Sequence, residues 1–150
     1  MNILKSILIK FRITMNALMW LPPLISRIVL SFVFVESGWG KIHHLDKVTA
    51  FFTELGLPMP AFQAILVSTT EFSCGLLLLT GLCTRLASIP LIIIMGVAIA
   101  SAKREELNGF SDLIGFSEFL YVVLLVGLIV NGAGLLSLDF ILGRKMKNLS

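Results

Sequence analysis

The chain has 150 residues, of which 57% are hydrophobic and only 14% are charged, and its mean hydropathy is +0.96. Soluble domains are nearer one quarter charged, so this composition excludes a soluble globular protein and indicates an integral membrane protein. The net charge of +3 does not indicate nucleic-acid binding, because no basic stripe with interleaved aromatic residues exists. No linker rich in Pro, Ser or Gly divides the chain, so we expect one bundle.

Residues 1–20 form the first predicted element, an amphipathic interfacial helix. Lys5, Arg12 and Asn16 share one face, and the other face is largely apolar, with Ile3, Leu4, Ile7, Leu8, Phe11, Met15 and Leu18. Two such faces are typical of a helix that lies in the headgroup layer of a membrane. The alternative is a partly ordered N-terminus. A cleaved signal peptide fits less well, because Lys10 and Arg12 interrupt its apolar core.

The first membrane span is predicted over residues 24–42, after a turn at Pro22 and Pro23. Arg27 lies one turn inside the cytoplasmic end, where its long side chain can reach lipid phosphate. Glu36 lies deeper, roughly 9 Å from the outer end. These two charges are on opposite faces of the helix, so they cannot pair with each other. Glu36 instead shares a face with Phe32, Trp39, Gly40 and His43.

The second span, over residues 61–83, follows an outer loop over residues 43–59 and contains Glu71. This carboxyl lies about 16 Å along the helix from Pro60, near the middle of the membrane. A charged carboxyl without a partner is costly there, so we expect it to face protein or water. One stripe of the helix supports this expectation, since it gathers Gln63, Val67, Thr70, Glu71 and Cys74.

The third span is predicted over residues 87–102, with Pro90 in its first turn. The connection before it, residues 84–86, is so short that the span must run antiparallel to the second and lie beside it. Gly96 and Ala100 form a small-xxx-small pair, which permits close helix contact. We expect this contact to be made within the chain, and a dimer interface is the alternative.

The fourth span is predicted over residues 116–136, after a polar loop over residues 103–115. The fold prediction is therefore an all-α, four-helix transmembrane bundle over residues 21–142, preceded by the interfacial helix. A basic tail over residues 143–150 follows it. The basic residues of both ends and Arg85 are best placed inside the cell, so both termini are predicted to be cytoplasmic.

The chain supplies no electron carrier of its own, and no covalent cofactor is expected. Cys74 and Cys83 lie about 13.5 Å apart along one predicted helix, too far for a disulfide. No metal site is predicted, because the adjacent His43 and His44 point in different directions at a helix end. Redox chemistry would therefore need a carrier from outside the chain.

Polar residues in the outer half of the predicted bundle form the candidate site: Glu36, Lys41, Glu71, Lys103, Glu118 and Tyr121. Such groups can bind a quinone headgroup, relay protons, or pair with one another and lock the helices together. We expect Glu71 to face the bundle interior with Glu36 or Lys41 near it, because burial favours a cation beside a carboxylate. Outside this set, Arg27 and Arg85 are assigned to lipid headgroups and topology.

From Arg27 to Asp139 the chain resembles the DoxX family of small four-helix membrane proteins. The resemblance rests on the order and spacing of Gly38-x-x-Lys41, Phe51-Phe52 with Gly56-x-Pro58-x-Pro60, Glu71-x-x-x-Gly75, Gly81-x-x-Thr84-Arg85, Asn108-Gly109-Phe110 with Glu118, and Gly132-x-Gly134 with Ser137-Leu138-Asp139. One departure is the end of the third span, where many members have a histidine and this chain has Ala102-Lys103. A role of that histidine in proton or ligand handling does not carry over.

The resemblance also implies a function. The family includes a subunit of an archaeal thiosulfate:quinone oxidoreductase, and a membrane partner of superoxide dismutase and a sulfurtransferase. It therefore implies an accessory subunit of a quinone-linked redox or redox-stress complex in the bacterial inner membrane, with a quinone as ligand and oxidoreductase subunits as partners. Two other interpretations remain open: a binding or transport module for a small hydrophobic molecule, and a structural anchor that recruits soluble enzymes. A homo-oligomer is also open.

Overall fold

A computed structural model describes residues 2–104, 106–107, 109–134 and 137–140, and every regular element among them is a helix. The helices are α1 Asn2–Leu18, α2 Leu21–His43, α3 Leu45–Glu54, α4 Pro60–Thr80, α5 Thr84–Ala102, α6 Phe110–Gly115 and α7 Ser117–Asn131. Helices α2, α4 and α5 are long and apolar enough to cross a membrane, and α7 is a shorter apolar helix. The predicted all-α membrane bundle is confirmed. The predicted basic tail lies outside the described residues.

Four of the helices form a closed ring. Helix α2 packs on α4, α4 on α5, α5 on α7, and α7 returns to α2. The interior of the ring contains fully buried side chains from all four, including Phe34, Leu30, Leu78, Leu91, Leu125 and Leu128. Because lipid tails are as apolar as these side chains, close packing is what holds such a ring together in a membrane.

The ring has two distinct ends. The first, here called the Gly81 end, gathers the starts of α2 and α5 and the ends of α4 and α7. There the Asp139 backbone N–H donates to the Gly81 carbonyl at 3.0 Å. The second, here called the α3 end, holds α3, α6 and the start of α7, with Lys103 Nζ 5.6 Å from the centre of the Phe116 ring. The assignment of these ends to the two sides of the membrane remains a prediction.

Two helices occupy segments that were predicted as loops. Helix α3 lies within residues 43–59, and α6 lies within residues 103–115. The prediction that these two segments are loops is therefore wrong for both segments. The physical reason is clearest for α3, where half-buried apolar side chains recur at helical spacing: Leu45, Val48, Phe52 and Leu55.

Helix α5 begins three residues earlier than predicted, at Thr84, so Pro90 lies inside the helix and not in its first turn. The earlier start is supported by Asp139, whose carboxylate accepts hydrogen bonds from the backbone N–H groups of Cys83 at 2.7 Å and Thr84 at 3.0 Å. These donors would otherwise lack partners at the helix start. Helix α7 ends at Asn131, because Gly132 follows with a φ of 77°, which an α-helix does not continue.

The small pair on α5 faces away from the ring. Gly96 and Ala100 are both exposed, and a Cβ atom on Gly96 would meet no atom within 4 Å. The expected contact within the chain is therefore wrong, since α5 turns other residues towards α4 and α7. Buried residues of α5 are Thr84, Ala87, Ser88, Leu91 and Met95.

Helix α1 stands apart from this packing. All of its side chains that the structure describes are exposed, on the apolar face as well as on the polar one: Ile7, Ile9, Lys10, Phe11, Arg12, Ile13, Met15, Asn16 and Leu18. The predicted helix is present, and its place in the headgroup layer remains a prediction. Its exposed apolar residues are consistent with that place.

Candidate functional site

Glu71 of α4 and Lys41 of α2 form an ion pair. Lys41 Nζ donates to both carboxylate oxygens of Glu71, at 2.6 Å to Oε1 and 2.7 Å to Oε2. Ser37 Oγ donates to Oε2 at 2.9 Å. The Glu71 side chain is fully buried, whereas the Lys41 side chain is 32% exposed. The expectation that Glu71 faces the interior with Lys41 beside it is confirmed.

Two glycines bring the elements of this pair together. A Cβ atom on Gly38 would lie 2.5 Å from a backbone atom of α4, and one on Gly75 would lie 2.9 Å from a backbone atom of α2. Real Cβ atoms do not approach so closely, so only glycine permits this separation of the two helices. Ser37 and Lys41 flank Gly38 on α2, and Glu71 lies one turn before Gly75 on α4. The close approach therefore places both donors on the carboxylate.

The two residues of the pair differ in their capacity to bind a ligand. Both Glu71 oxygens are occupied, so the carboxylate has little capacity to bind anything else. A lysine ammonium carries three N–H donors, and two of those on Lys41 go to Glu71. The remaining N–H, on a side chain that is partly exposed, is the group through which this site can contact a ligand.

Glu36 does not join the pair. It is exposed, on the side of α2 that faces away from the ring. Its predicted neighbours on that face, Phe32 and Trp39, are 65% and 55% exposed. The face predicted for Glu36 is therefore present, but it lies on the outside of the ring. Of the two neighbours expected for Glu71, Lys41 is beside it and Glu36 is not.

The other three predicted residues lie elsewhere at the α3 end. Lys103 pairs with Glu106 at 3.1 Å. Glu118 and Lys103 line an open groove of about 570 Å³. Tyr121 packs edge-on against Phe34 inside the ring, with the ring centres 6.1 Å apart. The structure therefore brings together Glu71 and Lys41 and leaves Lys103, Glu118 and Tyr121 outside the ion pair.

The assignment of Arg27 to lipid headgroups is wrong. Arg27 is only 5% exposed, and its Nη1 donates to the Ala133 carbonyl at 2.9 Å. Ala133 lies two residues beyond the end of α7, after Gly132 has turned the chain with a φ of 77°, and its carbonyl there accepts the guanidinium. Arg85 donates to the Val130 carbonyl at 3.3 Å but is exposed, so its headgroup role remains a prediction.

The inner stripe of α4 is rotated from the predicted one. Its buried residues are Ala64, Ser68, Glu71, Cys74, Gly75 and Leu78. Of the predicted stripe, Glu71 and Cys74 are buried, whereas Gln63, Val67 and Thr70 are half-buried. The close approach of α2 explains the rotation, because small side chains must face the tightest helix contact. The predicted stripe is chosen by polarity, which does not identify the small residues at that contact.

Two residues have roles that the sequence did not predict, although Asp139 is part of the family pattern. Ser37 lies one turn before Lys41, and that spacing is the signal that could have placed it beside Glu71. Asp139 caps α5 across 55 residues of chain, for which no local signal exists. In the described part of the chain, no group of three or more His, Cys, Asp and Glu side chains is placed to hold a metal ion.

Comparisons with known proteins agree with this architecture. A family model described as DoxX matches residues 23–104. "Uncharacterized membrane protein Rv3486" of Mycobacterium tuberculosis is 34% identical over 130 residues, covering 79% of this chain and 80% of that protein. "Putative oxidoreductase CatD" of Bacillus subtilis is 29% identical, covering 91% and 99%. "Inner membrane protein YphA" of Escherichia coli is 29% identical, covering 77% and 86%. No solved structure matches the chain.

Proposed function

The chain belongs to the DoxX family of membrane proteins, and on that premise we propose that it is an accessory membrane subunit of a quinone-linked redox or redox-stress complex. It resides in the bacterial inner membrane with both termini cytoplasmic, and partner oxidoreductase subunits supply the electrons. The oxidoreductase name of the Bacillus subtilis relative and the inner-membrane name of the Escherichia coli relative support this proposal. The observation that carries it is the ion pair of Lys41 and Glu71.

The residues at this pair fit a quinone headgroup. Its carbonyl oxygens accept hydrogen bonds, and the remaining N–H of Lys41 is a donor on a side chain that is 32% exposed. A quinone, when bound, supplies reversible transfer of electrons together with protons. The chain adds no redox centre of its own.

Each member of the site then has a separate task. Lys41 donates a hydrogen bond to the ligand and holds a proton at Nζ. Glu71 fixes the ammonium in place and compensates its charge within the membrane. Ser37 keeps the carboxylate oriented towards Lys41.

A structural anchor that recruits soluble enzymes is the second candidate function. The observation that favours it is the complete burial of Glu71 with both oxygens occupied, which is what a lock between α2 and α4 requires. In that case the pair holds the helices together and binds nothing. A module for another small hydrophobic molecule would use the same Lys41 donor without electron transfer.

Quinone retention tests the proposal directly. The protein is reconstituted in nanodiscs that contain menaquinone or ubiquinone, purified again, and its quinone content is measured by mass spectrometry. We expect the wild type to retain quinone above empty nanodiscs and Lys41→Gln to lose that excess. Lys47→Gln, at an exposed lysine of α3, is the matched control. Equal retention by Lys41→Gln would exclude this site, and no retention by the wild type would favour the anchor.

A further inference from the structure

Glu36 is an exposed carboxylate on the outer face of a helix long enough to span the membrane. It lies seven residues before the end of α2, roughly 10 Å along the helix axis. Its side chain has no hydrogen bond or ion pair with any other described residue. A carboxylate facing hydrocarbon at that depth is strongly disfavoured. This face of α2 is therefore poorly suited to lipid and well suited to another protein surface that carries a hydrogen-bond donor.

Glu36 belongs to a continuous row of exposed residues, here called the α2 seam: Ile25, Val29, Phe32, Glu36, Trp39 and His43. The steps between successive members alternate between four and three residues. That alternation is the spacing along which two parallel helices pack over many turns. Apart from Glu36, most of the seam is apolar or aromatic, which suits a helix contact within a membrane.

We propose that the α2 seam pairs with the same seam of a second copy of this chain, about a two-fold axis along the membrane normal. A two-fold axis in that direction keeps the two helices parallel and sets Glu36 at the same depth in both copies. Such an interface is self-complementary, because one surface patch meets its own copy. The pairing is independent of quinone binding.

The seam contains the donor that Glu36 needs. The indole N–H of Trp39 has no acceptor among the residues that the structure describes, and Trp39 lies three residues from Glu36 on the same face. In a parallel pair, Trp39 of each copy lies within one turn of Glu36 of the other. Each carboxylate then accepts an indole N–H across the axis. A single polar position in an otherwise apolar seam also fixes the register of the two helices.

A comparison with α5 shows why the α2 seam is the better interface. The outward face of α5 is also exposed, with Ile89, Ile93, Gly96, Val97 and Ala100. These five residues carry no ionisable or hydrogen-bonding side chain, and the exposed Arg85 lies in the first turn of α5, within reach of lipid headgroups. Lipid therefore covers this face without penalty. Gly40, next to the α2 seam, is exposed, and a Cβ atom there would meet nothing within 4 Å, which leaves room for a close second helix.

Disulfide cross-linking in native membranes tests the pairing. In a background that carries Cys74→Ala and Cys83→Ser, a single cysteine replaces either Phe32 on the seam or Ile93 on α5. Under a mild oxidant we expect a covalent dimer with Phe32→Cys, at least tenfold more abundant than with Ile93→Cys. Native mass spectrometry of the wild-type chain from gentle detergent should show two copies.

Variants of Glu36 make the test specific to the carboxylate. Glu36→Lys places two like charges on the axis and should abolish the cross-link at residue 32, whereas Glu36→Gln keeps an acceptor oxygen and should retain it at the wild-type level. Glu118→Lys, away from the seam, is the control. A monomer without a cross-link at residue 32 would overturn the pairing. A different protein bound at wild-type Glu36 and lost in Glu36→Gln would also overturn it.

Discussion

Gly38 of α2 packs against the backbone of Phe72 of α4 without room for a side chain, since a Cβ atom on Gly38 would lie 2.5 Å from the Phe72 nitrogen. We expect Gly38→Ala to destabilise the protein by on the order of 1–3 kcal/mol, because the helices must separate. Gly96→Ala is the matched control, because a Cβ atom on Gly96 would meet nothing and alanine favours helix. Thermal unfolding in detergent measures both. A Gly38→Ala protein as stable as the control would show that α2 can move aside.

The ion pair allows a double-mutant cycle. Glu71→Met alone leaves Lys41 without its counter-charge, and we expect a loss on the order of 2 kcal/mol, below that of a fully buried pair because Lys41 is partly exposed. Lys41→Met alone leaves a buried carboxylate and should cost more. The double variant replaces the pair by apolar side chains and should recover most of the stability. Additive losses in the double variant would show that the two residues do not interact.

Glu71→Gln separates proton handling from packing. Glutamine keeps the size of the side chain and one acceptor oxygen but cannot carry its charge. We expect this variant to fold with a smaller loss of stability than Glu71→Met and to fail in restoring survival of a deletion strain under oxidative or thiol stress. Gln63→Glu, on the same helix and outside the pair, controls for the presence of a carboxyl. Full rescue by Glu71→Gln at equal expression would favour the structural anchor.

The cap on α5 predicts a local effect. Asp139→Ala removes the acceptor of two backbone N–H groups, and we expect a loss of about 0.5–2 kcal/mol. Asp139→Asn keeps one acceptor oxygen and should lose less. Hydrogen exchange should become faster at the first turn of α5 and remain unchanged at α3. Asp46→Ala, at an exposed carboxylate of α3, serves as the control. Unchanged exchange at α5 in Asp139→Ala would contradict a capping role.

Topology can be measured by cysteine labelling in the background without native cysteines. Asp46→Cys and Asp112→Cys lie at the α3 end, which we expect outside the cell, so both should react with a membrane-impermeant maleimide on intact cells. Leu86→Cys, exposed near the Gly81 end, should react only after permeabilisation. Labelling of Asp46→Cys from the cytoplasm alone would invert the assignment.

Glu36 and Glu71 show how far sequence analysis reaches. Both are carboxyls within apolar spans, and both belong to the predicted site. The predicted interior position of Glu71 is confirmed, because Gly38 and Gly75 let α2 approach the face of α4 that carries it. Glu36 does not reach the site within one chain, because its face of α2 points outward. Depth in the membrane follows from counting residues, whereas the direction of a face depends on which helices pack together.

Arg27 marks a second limit. Apolar length predicts the spans, and their ends agree with the helices to within five residues, but the partner of Arg27 is a carbonyl 106 residues away. A cation near a helix end usually extends to lipid phosphate, and nothing near Arg27 in the sequence indicates otherwise. The partner of such a residue is set by contacts between segments far apart in the chain, and a single sequence does not show which segments these are.

The bond from Asp139 to the start of α5 also has a consequence for biosynthesis. The ribosome has made α4, α5 and α7 before it reaches Asp139, so the first turn of α5 enters the bilayer with its two N–H groups uncapped. The capping contact therefore forms only after α7 has been made. In a nascent chain halted before Asp139, we expect the first turn of α5 to fray in the same way as in Asp139→Ala.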